Sequence, residues 1–323
     1  MSFFSRITKS ISHSAPATFL VNKGKVIVLP GFHGIPLFDV IIFFIQQVKK
    51  VGMKERASAI AFNFVMAIPP AIIFLFTLIP YLPVSKEFVS GLDSLIRDII
   101  PGQEHNSPLI KFLHDFISKP RTGLLSIGFI LSLYFSSNAV LGIMRSFDKN
   151  YEGFRKRKII EKRSVALKLT LILFVLVFIS VLFLAAPQLL DLIHLKDRRH
   201  GIKTVINNVR WVVIVLLFFY SISYIYLHAP AVHKKWKFIN TGSIVATFLM
   251  ILFTFVFSYW VNHFGRYNQL YGSISTILIV MLLIYFNSLV LLIGFELNVS
   301  ISTLKRIADE RNKNPAGGNE NPG

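Results

Sequence analysis

The sequence predicts an all-α membrane protein: a six-transmembrane-helix bundle with an N-terminal interfacial helix and a small helical cap in the first outer loop. Three observations predict it. The chain of 323 residues is 53% hydrophobic, carries 31 Phe and has a mean hydropathy of +0.59, which is the composition of a protein solvated by lipid. Six segments are apolar over at least the roughly 20 residues a helix needs to cross the hydrocarbon. Finally, 35 Lys and Arg against 16 Asp and Glu leave a formal charge of +19, yet that charge sits in short segments between the apolar runs. Loops beside membrane spans carry such charge on topological grounds alone, so no nucleic-acid partner is expected. There is no Cys, which excludes a disulfide framework, thiol catalysis and a Cys-based zinc site.

Residues 1–36 form a basic N-terminal arm that ends in "LPGFHGIP". Its Pro and Gly residues make it a turn-rich lead-in and not a signal peptide. "LFDVIIFFIQQVKK" (Leu37–Lys50) is too short to span and ends in Gln-Gln and two lysines, so it is expected to lie in the cytoplasmic interface. It opens a membrane domain over 37–305, with spans at about 58–82, 122–144, 165–190, 209–231, 242–264 and 271–301. The first outer loop, 83–121, holds two helical patterns, "KEFVSGLDSLIRDII" and "PLIKFLHDFIS", expected to form the cap. Residues 306–323 end in "RNKNPAGGNENPG" and form a tail expected to be disordered by composition. The segments on the side of the termini hold 23 Lys and Arg against 11 on the opposite side, which puts both termini in the cytoplasm.

Polar residues inside the spans fall into stripes at 3.6 residues per turn. From Ile274 to Ile301 Glu296 is the single charge, and a carboxylate in hydrocarbon costs several kcal/mol unless it meets water or a partner. Tyr285, Glu296 and Ser300 share one side of the last span, and Asn287, Gly294 and Asn298 share the other, so that helix is expected at the centre of the bundle. Span five carries Thr247, Thr254, Ser258 and Asn262 on one face. Span two carries Tyr134, Asn138 and Arg145, and span one has Asn63 before Pro69 and Pro70, a pair that removes two backbone donors. Two readings stand side by side. Asn63, Pro69, Pro70, Asn138, Ser258, Asn262, Tyr285, Glu296 and Asn298 line a substrate or ion path, or they hydrogen-bond between helices and shape them. Glu296 is expected to pair with a basic residue of 145–163 or with Arg56.

The second loop, "RSFDKNYEGFRKRKIIEKRS", is densely basic. Arg145, Arg155, Arg157 and Arg163, together with Arg56, are either topogenic and structural or bind an anionic headgroup on the cytoplasmic leaflet, where each basic residue near the surface is worth about 1 kcal/mol. Membrane lipids are therefore the expected partners. The nine His are scattered over arms, loops and helix ends, without the clustered His and carboxylate ligands that metal-dependent hydrolysis requires. No metal, no cofactor and no catalytic residue is expected.

"ERASAIAFNFVMAIPPAIIFLFTLIP" (Glu55–Pro80), "LYFSSNAVLGIMRSFDKNYE" (Leu133–Glu152), "YLHAP" followed by "KKWKFINTGSIVATFLM" (Tyr226–Met250) and "YNQLYGSISTILIVMLLIYFNSLVLLIGFELNVSI" (Tyr267–Ile301) resemble, in order and spacing, the motif blocks of the YihY/BrkB family of bacterial inner-membrane proteins, once labelled ribonuclease BN. The resemblance covers about residues 35–305. It implies six spans with cytoplasmic termini and a place among proteins discussed as serum-resistance factors and transporters. By position, the family's motifs correspond to Arg56, Ala57, Ser58 and Ala59; to Arg145, Asp148 and Asn150; to Tyr271 and Gly272; and to Gly294, Glu296 and Asn298. One block departs: many relatives read "WSASRGF" where this chain has Phe135 to Val140, with Asn or Val in place of the basic residue. A membrane-embedded arginine at that place on span two does not carry over. The functional expectation is a transporter or flippase-like handler of an amphiphilic lipid or an ion, the alternative a non-transporting scaffold or lipid-binding partner in envelope maintenance. Ribonuclease activity is not expected.

Overall fold

A computed structural model describes residues 25–28, 31–32, 34–50, 52–78, 122–148, 154–155, 157–192, 199–232, 236–264 and 274–313. Among them the elements are helices: α1 (Leu37–Lys50), α2 (Met53–Leu78), α3 (Thr122–Phe147), α4 (Ile159–Leu192), α5 (Arg199–His228), α6 (Thr241–Phe264) and α7 (Ile274–Lys313). No strand occurs among the described residues, where Phe154 and Val232 form an isolated bridge. Among the described residues five helices are long and apolar enough to cross a membrane, over Met53–Phe74, Leu125–Phe147, Ile159–Ser180, Thr241–Val261 and Ile277–Glu310. The span expected at 209–231 falls on α5, whose described apolar stretch is Val212–His228. The cap expected in 83–121 and most of the arm 1–36 lie outside the described residues.

Local chemistry explains the helix limits. α1 hands over to α2 through Gly52, whose φ of 58° is the left-handed conformation that costs glycine least. α2 continues through Pro69 and Pro70 without a break. α6 starts at an Asn cap: Ser243 N–H donates to Asn240 Oδ1 at 2.8 Å, and the Ser243 hydroxyl donates to the Asn240 carbonyl at 2.9 Å. The disordered tail expected from 306 is corrected in its first part, because α7 runs on to Lys313. Leu304 packs on a cluster of Phe32, Ile35, Val40 and Ile301, and Arg306 pairs with Glu310 one turn on at 3.7 Å, contacts that favour helix there. Residues 314–323 lie outside the described ones.

Consecutive helices from α2 to α7 are neighbours in space, α7 closes the circuit by packing on α2, and α1 lies against α7. The main core is built from Met53, Ala57 and Ile60 of α2, Val140 to Phe147 of α3, Ala166 and Leu169 of α4, Ile222 to Ala229 around the end of α5, Ala246 and Met250 of α6, and Leu291 to Val299 of α7. These are the starts of even-numbered helices and the later parts of odd-numbered ones, so the chain runs up and down and one end of the bundle holds the packing. That end also carries the basic second loop and the α5–α6 connection with its lysines.

Toward the other end the same faces become uncovered. On α6, Ser243, Thr247 and Met250 are buried while Thr254 and Ser258 are exposed, although all five lie within about 80° around the helix axis, and Phe257 at the edge of that face stays buried. α5 changes from 3% exposed at Ile222 to 42% at Val215, and α7 from 0% at Leu292 to 41% at Met281.

Candidate functional site

Glu296 lies in the packed end with no solvent exposure, and Arg56 answers it from the first turn of α2: Nη1 donates to Oε1 at 2.6 Å. The second guanidinium nitrogen donates to the Ser146 carbonyl near the end of α3. One arginine thus joins three helices, and the carbonyl takes up a donor that the carboxylate does not. Such charge-assisted contacts are strong where water is excluded. Desolvation still opposes them, so the pair specifies an arrangement more than it adds net stability.

Next to Glu296 in the chain, Phe295 centres an aromatic cluster. Phe295 stacks on Phe147 at 4.0 Å with an interplanar angle of 6°, and Trp236 and Phe154 approach Phe295 at 5.7 and 6.3 Å. Tyr226, fully buried, donates its hydroxyl to the Leu291 carbonyl at 2.6 Å. That contact needs Gly294, because a Cβ there would meet the Tyr226 hydroxyl oxygen at 2.5 Å and the Gly242 carbonyl oxygen at 2.6 Å. Asn298 completes the α6–α7 crossing. Its Oδ1 accepts from Gly242 N–H at 2.8 Å, and its amide nitrogen donates to Asn240 Oδ1 at 2.6 Å. In the motif Gly294-x-Glu296-x-Asn298, the glycine admits a helix, the glutamate holds α2 and the asparagine holds the α6 cap.

The basic loop is strapped across the same end. Arg157 donates to the carbonyls of Ala229, His228 and Pro230 at 2.7, 3.0 and 3.2 Å, and so closes the C-terminus of α5, where the helix dipole favours a cation. Burial lowers this guanidinium's pKa from its usual value, with the nearby Asp148 charge acting the other way. Arg155 is exposed and pairs with Glu161, and its backbone N–H donates to Ala231 O at 2.8 Å. Lys162 pairs with Asp148 at 2.6 Å.

The structure does not bring the expected path residues into one group. Asn63 donates to the Ala59 carbonyl at 2.7 Å and packs on Gly142 at the α2–α3 seam. Asn138 accepts from Arg163 of α4 at 2.6 Å, and that guanidinium lies 4.6 Å from the centroid of the Tyr134 ring. α4 thus supplies a guanidinium to α3. Tyr285 is half-buried beside Phe286, Pro69 is exposed, Pro70 is half-buried, and Ser258 is exposed on α6. Arg145 is exposed as well. The side chain of Asn262 and the motif positions Asn150, Tyr271 and Gly272 lie outside the described residues. Sequence reasoning missed Tyr226, Asn240 and Gly242 as parts of this site. Tyr226 heads the "YLHAP" block, and an Asn two residues before a Gly at a helix start is a cap signal that was there to be read.

The model of the family described as Virulence factor BrkB matches residues 44–319. The ribonuclease-like protein YfkH of Bacillus subtilis (strain 168) is 27% identical over 262 residues, 80% of this chain and 93% of YfkH. A UPF0761 membrane protein of Psychromonas ingrahamii is 19% identical over 281 residues, 85% and 91% of the two chains. The UPF0761 membrane protein MS0032 of Mannheimia succiniciproducens is 21% identical over 271 residues, 84% and 91%. No solved structure matches.

Proposed function

Because the chain belongs to the Virulence factor BrkB family of multi-pass membrane proteins, we propose that it works in the bacterial cytoplasmic membrane as a six-span handler of an amphiphilic lipid or ion, without enzymatic activity. Both termini and the basic end face the cytoplasm in this reading, by the excess of Lys and Arg on that side. α1 then lies in the cytoplasmic interface, and α5 crosses as the sixth span.

The observation that carries the reading is the face of α6. Ser243, Thr247 and Met250 are buried at the basic end, and the same face exposes Thr254 and Ser258 toward the other end. In this reading the exposed faces of α5, α6 and α7 line an outward vestibule above the packed end that holds the Arg56–Glu296 pair. Polar groups in such a space meet water or a polar ligand, which is the ordinary reason for them at membrane depth.

A second reading rests on a specific observation. Asn63, Asn138 and Glu296 are satisfied at three different seams, α2–α3, α3–α4 and α2–α7, as in a scaffold whose polar residues only pack helices. Reconstitution separates the two. Purified protein in liposomes is assayed for translocation of a fluorescent phospholipid and for ion flux. The transport reading expects rates above protein-free liposomes, and a fall in Ser258→Trp, which fills the vestibule without touching the packed end. Rates equal to protein-free liposomes for both would leave the scaffold.

A further inference from the structure

Arg163 is the described cation whose surroundings ask for an anion. Its guanidinium is held by a neutral amide oxygen, Asn138 Oδ1, and by the face of Tyr134. No carboxylate pairs with it among the described residues, where the acids on the adjoining elements have other partners. Asp148 pairs with Lys162, Glu161 with Arg155 and Arg157, and Glu296 with Arg56. The site is also displaced into the bundle. Asn138 lies about 10 Å of helix from the exposed Arg145 at the basic end, and Tyr134 lies a further turn away. Arg163, the fifth residue of α4, thus reaches toward α3 from the basic end with no carboxylate to neutralise it.

The neighbouring surface has the shape of the rest of an amphiphile. Tyr134 is 51% exposed, and the α3 side chains that follow it away from the basic end on the same face, Ile130 and Ile127, are 64% and 58% exposed. An acyl chain lying along that stripe puts its headgroup at Arg163. We propose that Arg163, with Asn138 and Tyr134, forms a phosphate-binding site at the α3–α4 seam for the headgroup of an anionic glycerophospholipid-like amphiphile. Asn138 and the Tyr134 ring fix the plane of the guanidinium, leaving its remaining N–H groups for phosphate oxygens, the fork geometry in which arginine binds that group. The site goes beyond the transport reading, since a headgroup is held here whether or not it is moved.

The test uses the full chain in nanodiscs of mixed phosphatidylglycerol and phosphatidylcholine, with bound lipid counted by native mass spectrometry. The same protein in detergent is titrated with inorganic phosphate and followed by thermal shift. Wild type is expected to enrich phosphatidylglycerol, and Arg163→Gln to lose that enrichment by about tenfold or more, the scale of a charged hydrogen-bond pair. Arg155→Gln, at an exposed residue paired with Glu161, should keep it. Arg163→Lys and Tyr134→Leu should each give a partial loss, and they carry the test if Arg163→Gln does not fold. Phosphate protection that needs Arg163, without phosphatidylglycerol enrichment, would keep the anion site and assign it to free phosphate. Equal lipid retention and equal phosphate response in wild type and the variants, or neither ligand bound by wild type, would overturn the site.

Discussion

At the scale of single residues, the packed end is governed by what each polar group would lose if its partner went. Removing one member of the Arg56–Glu296 pair leaves a buried charge alone, which costs on the order of 3–5 kcal/mol. Glu296→Ala is therefore expected to lower thermal stability in detergent sharply. Arg56→Ala combined with Glu296→Ala should be less damaging than the sum of the two, and additive losses in that double-mutant cycle would deny the coupling. Glu296→Gln keeps an acceptor for Arg56 and is expected to fold with a smaller loss, which makes it the variant for functional work. Tyr226→Phe removes a donor from the buried Leu291 carbonyl, with an expected cost of about 1–3 kcal/mol in the same unfolding measurement.

At the scale of elements, the α6–α7 crossing depends on two absent side chains. A Cβ on Gly294 meets a hydroxyl, a carbonyl and Ala246 Cβ, all at 2.7 Å or less, whereas one on Gly123 of α3 meets nothing within 4 Å. Gly294→Ala is expected to part the helices and cost well over 1 kcal/mol, as overpacking does. Gly123→Ala should be neutral or slightly stabilising in melting temperature. Helices were the part most legible in the sequence, since apolar length and cap residues act locally. α4 nevertheless starts at Ile159, six residues before its expected span, because "IIEKRS" continues the helix outside the apolar run. That Glu296 needed a cation was readable from the cost of a lone carboxylate. Its partner was one candidate among several, because Arg56 is 240 residues away in the chain and nothing local links them. Asn298 looked like a path residue for the same reason: its partners, Gly242 and Asn240, are on another helix.

At the scale of the whole molecule, charge, packing and openness are distributed along one axis. The basic loop, the end of α5 clasped by Arg157, the aromatic cluster of Phe147, Phe295 and Trp236, and the Arg56–Glu296 pair all belong to one end. The uncovered α5, α6 and α7 faces point toward the other. The up-and-down order of spans was legible from the alternation of basic and less basic loops. The one-sided packing was not, because the face of α6 carries Ser and Thr along its whole length and only its neighbours decide which are buried.

Cysteine labelling tests the one-sided closure most directly, and the chain has no native Cys to interfere. Thr247→Cys, Thr254→Cys and Phe255→Cys would each be exposed to a charged, membrane-impermeant thiol reagent in sealed vesicles of known orientation. A vestibule open outward above a closed basic end predicts reaction at 254 from the outer side, with no reaction at 247 from either side. It predicts none at 255, which lies about 100° around the helix from 254 and on the lipid side in this account. Labelling at 247 from the cytoplasmic side, or silence at 254 from the outer side, would contradict it.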